Sequence, residues 1–230
     1  MLIATHLSLG YGRTVLLEDV SLTLEPGTVT GLVAPNGFGK TTLLRALAGI
    51  DGARARGALD VDGTGPRDGS ALRRLVFYAP GDATLLYPNL TARDHLRMAA
   101  RLWASPLDPD VVARRTGTDA FAHKRVRALS QGMKQQLTLA IAYLTCARYL
   151  LLDEPMNALD PTNVQLHSQI LRGIARRGAA VVMSSHILDN VDAIADRIVF
   201  IKDRGLIEHD PAHSTARALE LYRRLYQSFT

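Results

Sequence analysis

Within eight residues, Ala34-Pro35-Asn36-Gly37-Phe38-Gly39-Lys40-Thr41 gathers two glycines, a lysine and a hydroxyl, directly after the apolar run Val29 to Val33. A strand that enters a glycine-bearing loop and then opens a helix leaves the backbone N–H groups of Gly37 to Thr41 pointing inward, as a nest for an anion. Gly37 and Gly39 can take the positive φ that so tight a wrap demands. Lys40 then supplies a point charge for β- and γ-phosphates, and the Thr41 hydroxyl can ligate Mg²⁺. The common form of this pattern opens on glycine, and Ala34 stands there instead. Pro35 holds the residue before it extended, a conformation alanine reaches without strain. A glycine-rich turn ahead of a core helix is the bland alternative.

Three further stretches carry chemistry. Tyr149-Leu150-Leu151-Leu152 reads as a buried strand with Asp153-Glu154 at its carboxyl end, the edge where doubly wound sheets bind ligands. Two adjacent carboxylates there are costly unless a cation or hydrogen bonds compensate. Asp153 suits Mg²⁺, held through water, and Glu154 suits a general base acting on the attacking water. Leu129-Ser130-Gln131-Gly132-Met133-Lys134-Gln135 opens a helix running to about Ala147. Ser130 and the Gly132 amide would meet an anion at its N-terminus, although a simple cap also explains a serine. His186 follows the strand Ala180 to Met183 through Ser184-Ser185, and should stand on the same sheet edge as Glu154.

The elements that must position these residues follow from hydrophobic period. Leu2 to Leu9 and Val20 to Leu24 read as strands, with a turn at Gly10-Tyr11-Gly12 after the first and one at Glu25-Pro26-Gly27 after the second. Leu43-Leu44 and Leu47-Ala48 have helical spacing over Thr41 to Gly49. Leu75 to Ala79 is a buried strand closed by Pro80-Gly81. From about Asp82 to Arg127 strand signals give way to helical patterns punctuated by Pro88, Pro106 and Pro109, which predicts an inserted helical lobe. Strands return at Tyr149 to Leu152, Ala179 to Met183 and Arg197 to Ile201, with helices over Thr162 to Arg176 and Leu188 to Ala195 between them. Such alternation predicts a parallel sheet covered on both faces.

Composition excludes several classes. The chain has 230 residues, is 47% apolar and 21% charged, and has enough length to bury a core. No apolar run is long enough to span a bilayer, and Met1-Leu2-Ile3-Ala4-Thr5-His6 lacks the features of a signal peptide. Cys146 is the only cysteine, so no internal disulfide forms. The net charge is +5, but the arginines are dispersed along the chain, which predicts solvated faces and no nucleic-acid partner.

Taken in order, the four elements resemble the ATP-binding cassette (ABC) family of nucleotide-binding domains, over roughly residues 2 to 209. Ala34 to Thr42 is similar to its Walker A loop, Leu129 to Gln135 to its signature motif, and Leu150 to Glu154 to Walker B. Asn157-Ala158-Leu159-Asp160 is similar to the D-loop, His186 to the switch histidine, and Tyr11 to the aromatic that stacks on adenine. The resemblance implies an α/β fold: a P-loop NTPase core with a parallel sheet, an N-terminal antiparallel β region and an inserted α-helical subdomain. Residues 1–81 and 128–212 would form the core lobe, 82–127 the helical lobe and 213–230 a helical tail. ATP and Mg²⁺ are the implied cofactors. Nucleotide contacts fall to Tyr11, Asn36, Gly37, Phe38, Gly39, Lys40, Thr41 and Thr42, catalytic roles to Glu154, His186 and Lys40, and metal binding to Thr41 and Asp153. Two cassettes, as homodimer or heterodimer, would pair head to tail, so that Ser130 and Gly132 act in trans and Asp160 lies across the interface. Integral membrane permease subunits are the further implied partners, which places the chain in the cytoplasm, on the inner face of the membrane.

Two positions depart from the family pattern. Gly81 stands where the family carries the Q-loop glutamine or glutamate, with Asp82 next, and Met156 stands where threonine is common. Asp82 is a candidate substitute metal ligand, and a glycine at the hinge is expected to loosen the helical lobe and slow hydrolysis by the isolated subunit. Leu129 to Gln135 and Tyr87-Pro88-Asn89-Leu90-Thr91 resemble the forms found in export systems. A soluble ABC ATPase and a weakly hydrolysing regulatory cassette share most of these motifs, the second signalled only by Gly81.

Overall fold

The computed structural model describes residues 1–50, 53–63, 69–211 and 216–227. β1 (Leu2–Tyr11) and β2 (Thr14–Leu24) form an antiparallel hairpin, and both run further toward their shared turn than the apolar pattern predicts. Leu2, Ala4, Leu7 and Leu9 of β1 turn inward. β3 (Val29–Val33) leads to α1 (Lys40–Leu47). β4 (Arg54–Val61) then pairs with the other edge of β1, giving a three-stranded sheet in the order β2-β1-β4.

α2 (Gly69–Leu75) takes Leu75 from the expected strand, which begins one residue later as β5 (Val76–Ala79). α3 (Ala92–Leu102) and α4 (Pro109–Thr116) build the helical region, followed by two 3₁₀ turns at Thr118–Phe121 and Val126–Ala128. Their ends are chemically marked. Thr91 and Asp94 form a reciprocal capping box on α3, while Asp108 caps α4 ahead of Pro109 in its first turn. The buried His95 ties the region to its entry loop: Nε2 accepts from the Tyr87 N–H at 2.8 Å and Nδ1–H donates to the Thr91 carbonyl at 2.9 Å.

α5 (Gln131–Thr145) returns the chain to the core. Next come β6 (Tyr149–Leu152), α6 (Pro161–Arg176), β7 (Ala180–Ser184), α7 (Leu188–Ile194), β8 (Arg197–Lys202) and β9 (Gly205–His209). The six-stranded sheet runs β5-β6-β7-β3-β8-β9 and is parallel except for the antiparallel edge strand β9. Every residue of β3, β6 and β7 is buried, as strands covered on both faces require. Leu150, Leu152, Val181 and Met183 pack under α5 and α6 on one face. Tyr149, Leu151 and Val182 face α1 and the three-stranded sheet on the other. The expected helical tail, 213–230, lies partly outside the described residues. Within them, α8 (Ala218–Tyr226) packs beside α7 against Val33, Ile198 and Phe200.

Candidate active site

The phosphate loop leaves β3 at Val33 and wraps into α1 through Gly37 at φ 85° and Gly39 at φ 102°. Ala34 is buried and takes no positive φ, so the missing first glycine costs the backbone nothing. The Lys40 ammonium bridges the loop from inside, donating to the Ala34 carbonyl at 2.7 Å and the Pro35 carbonyl at 3.4 Å. Burial lowers its pKa, while Glu154 and Asp153 act in the opposite sense; Glu154 Oε1 lies 3.8 Å away.

Both carboxylates are held by several groups. Thr41 Oγ1 donates to Asp153 Oδ2 at 2.6 Å, and Ser184 Oγ donates to Asp153 Oδ1 at 2.6 Å. The same Ser184 oxygen accepts the Glu154 N–H at 2.8 Å, so one hydroxyl fixes both acidic residues. Glu154 itself sits at φ 47°, a left-handed backbone unusual for a side-chain-bearing residue. Gln135 of α5 secures it by donating to its carbonyl at 3.1 Å. His186 Nδ1–H donates to Glu154 Oε2 at 3.0 Å. Tyr78 of β5 stands near Asp153, and burial together with that carboxylate raises its hydroxyl pKa. A cavity of about 240 Å³ opens among Leu16, Asn36, Gly37, Gly39, Lys40, Thr41, Thr42, Asp153 and Glu154. Leu16, Tyr78 and Ser184 carried no motif in the sequence, and Gln135 closed the signature-like stretch with no role of its own assigned. Their partners lie on other elements, 19 residues away for Gln135 and 31 for Ser184.

Other expected site residues lie apart from this cavity. Tyr11, exposed at the end of β1, lines a neighbouring hollow that shares Thr42. Ser130 is exposed and caps α5, accepting the Met133 N–H at 3.2 Å, and Asp160 caps α6 through Asn163. Gly132 meets the D-loop of its own chain, where a Cβ would stand 2.7 Å from the Ala158 carbonyl oxygen. Phe38 turns away from the cavity toward α8.

Asp82 lines a hollow shared with Thr41, Tyr78 and Asp153. Its Oδ1 is already engaged by the Thr84 N–H at 3.1 Å and hydroxyl at 2.7 Å. Gly81 packs closely against the acidic strand end. A Cβ there would come within 2.9 Å of the Asp153 carbonyl oxygen, so glycine lets this segment pack against the acidic strand end.

A mononucleotide-type parallel sheet with a phosphate loop facing two tethered carboxylates defines a nucleotide-hydrolysing P-loop domain. The ABC transporter family pattern matches residues 17–157, more than half of the chain, and the chain belongs to that family as an ABC ATPase domain. It is 31% identical over 212 residues to the lantibiotic transport ATP-binding protein SrtF of Streptococcus pyogenes, covering 90% of this chain and 89% of that one. It is 35% identical over 237 residues to the zinc import ATP-binding protein ZnuC of Cereibacter sphaeroides, covering 97% and 93%. A solved ATP-binding subunit of an ABC transporter superposes with a TM-score of 0.86 at 27% identity, covering 99% of this chain and 100% of that one. The cassette MJ0796, solved as a dimer in a post-hydrolysis state with ADP and Pi, shares the fold at a TM-score of 0.80 and 21% identity, covering 91% and 98%.

Proposed function

We propose that the chain binds ATP with Mg²⁺ in the cavity between the phosphate loop and Asp153-Glu154, and that hydrolysis there powers transport by separate membrane-spanning subunits. The observation that carries this reading is the convergence of Lys40, Thr41, Asp153 and Glu154 on one cavity, with His186 bonded to Glu154. Nucleotide phosphates would displace the Ala34 and Pro35 carbonyls as partners of the Lys40 ammonium and take up the N–H groups of the nest. Two hard oxygens, from Thr41 and Asp153, meet at 2.6 Å. They suit Mg²⁺, which typically takes one or two protein oxygens and fills its remaining positions with water and phosphate. Among the described residues no cluster of three or more His, Cys, Asp or Glu could hold a metal alone. Mg²⁺ would neutralise phosphate charge there, with Asp82 as an outer member of the shell.

Glu154 accepts the proton of the attacking water, and the His186 contact fixes which carboxylate oxygen faces it. Ser130, Gly132 and Asp160 line no part of the cavity. A head-to-tail second cassette, of this chain or a similar one, would bring its own copies over the phosphates. We assign residues 1–81 and 128–212 to the core lobe, 82–127 to the helical lobe and 213–230 to the tail. Among the described residues no helix is long and apolar enough to cross a membrane. The relatives named as ATP-binding proteins of transport systems support integral membrane partners, with this chain on the cytoplasmic face. The forms of the signature and of Tyr87 to Thr91 support export, while the name of the zinc import relative points the other way.

The test is a pair of variants. Glu154→Gln should lose at least about 100-fold in turnover while binding ATP and accumulating as a dimer on gel filtration. Ser130→Arg should bind nucleotide as a monomer and fail to dimerise with ATP. Wild-type hydrolysis in Glu154→Gln would sink the assignment, and normal dimerisation of Ser130→Arg would leave Ser130 as a cap alone. Transport assayed in both directions with the permease decides the polarity.

A further inference from the structure

Phe38 is the one bulky side chain in the phosphate loop, and the site has no use for its ring. It is 39% exposed and packs edge-on against Tyr226, with centroids 5.8 Å apart at 89°. Tyr226 is the last residue of α8 and is itself anchored. Its hydroxyl donates to the Ile201 carbonyl at 2.6 Å and lies 3.5 Å from the carbonyl of Val33, the residue from which the loop departs. Tyr222 lies against its ring at 4.6 Å. The other end of α8 is tied to α7, the helix that follows His186, through the Ala218 N–H to Asp192 Oδ1 at 2.8 Å. Thus α8 touches the phosphate loop at one end and the helix after the histidine at the other.

We propose that Tyr226 is a positioning residue for nucleotide binding: it pins the phosphate loop through the Phe38 ring and the Val33 end of β3. The proposal rests on the assignment of that loop to ATP. Gly37 and Gly39 let the loop wrap, but they also give it freedom that must be lost when phosphates bind. A ring clamped between them fixes the loop in its wrapped form beforehand, and preorganisation of this kind appears as affinity. An aromatic pair contributes an amount equal to about two- to tenfold in an equilibrium constant. If Tyr226 merely closed the small cluster under α8, its removal would lower stability and leave affinity untouched.

The decisive experiment is a double-mutant cycle on MgADP binding, measured by calorimetry on the full chain with Phe38→Ala, Tyr226→Leu and the double variant. Melting temperatures are recorded alongside. Each single variant should bind MgADP about three- to tenfold more weakly. The double variant should be no weaker than the worse single one, because the two residues act as a unit. Tyr226→Phe, which keeps the ring but loses the hydroxyl's contacts with Ile201 and Val33, should bind MgADP with an affinity between those of wild type and Tyr226→Leu. Lys40→Ala serves as the control for the site itself: if it binds MgADP as wild type does, the loop assignment fails and the proposal falls with it. With Lys40→Ala defective, wild-type affinity in Phe38→Ala or in Tyr226→Leu overturns the proposal, as does simple additivity. Phe38 sits on the surface, so its variant decides the matter even where Tyr226→Leu does not fold.

Discussion

Acid should unfold this protein partly through one histidine far from the nucleotide. His167 of α6 is fully buried against α5. Its Nδ1 meets the Tyr143 hydroxyl at 2.7 Å, and its Nε2 has no partner among the described residues. Burial lowers its pKa from 6.5 to about 4, so the folded protein keeps the ring neutral where the unfolded chain would protonate it. The unfolded state therefore binds more protons over this window, and stability must fall as pH drops through it. The contribution is complete above pH 6.5 and exhausted below about pH 4. At about 1.4 kcal/mol per pH unit, that gap amounts to about 3 kcal/mol, a large share of the stability of a typical domain. The comparison protein is Tyr143→Phe with His167→Leu, which removes both polar partners together and strands neither. Urea unfolding at pH 7 and pH 4.5 should show wild type losing about 2.5 kcal/mol more than this variant. Carboxylate titration is common to both proteins and cancels. Equal losses would refute the reasoning, since His167 would then titrate alike in both states.

Three further outcomes follow from close contacts. Gly81→Gln should destabilise by about 1–3 kcal/mol and lower ATPase turnover, because its Cβ meets the Asp153 carbonyl; a stable variant with faster hydrolysis would contradict this. Ser184→Ala strands Asp153 Oδ1 and the Glu154 N–H together, so a loss of about 1–3 kcal/mol and a clear fall in turnover are expected from melting curves and steady-state assays. Gly132→Ala should disturb the Ala158 turn within a single chain, giving a lower melting temperature even in monomeric protein, where a role confined to the dimer would leave that temperature unchanged.

The sheet centre was readable because burial on both faces turns β3, β6 and β7 into uninterrupted apolar runs. The sheet margins were not. β4 carries Arg54, Arg56 and Asp60 along its eight residues, and β9 is a half-exposed antiparallel edge; neither leaves a period strong enough to see. Leu75 looked like strand because it continues the apolar run into Val76, yet Arg73-Arg74-Leu75 closes α2. In the site, the loop and the carboxylates were legible because their chemistry depends on local spacing. The roles of Ser184 and Gln135 were not, because each acts by reaching a residue that only the fold brings near. Gly81 is visible in the sequence as a departure, but its close approach to the Asp153 carbonyl is not, because only the fold brings that strand end against it.

α5 also works as a lever. Its 15 residues span about 22 Å at 1.5 Å each, with Leu137 to Thr145 buried in the core and Ser130 at the free tip. A tilt of about 10° about the buried end would carry the tip about 4 Å and Gln135 about 2.5 Å. That shorter travel suffices to break the 3.1 Å hydrogen bond from Gln135 to the Glu154 carbonyl. The contact therefore makes the support of Glu154 sensitive to the angle of α5: a tilt of that size would remove the hydrogen bond to its carbonyl and leave its left-handed backbone held by Ser184 at the N–H.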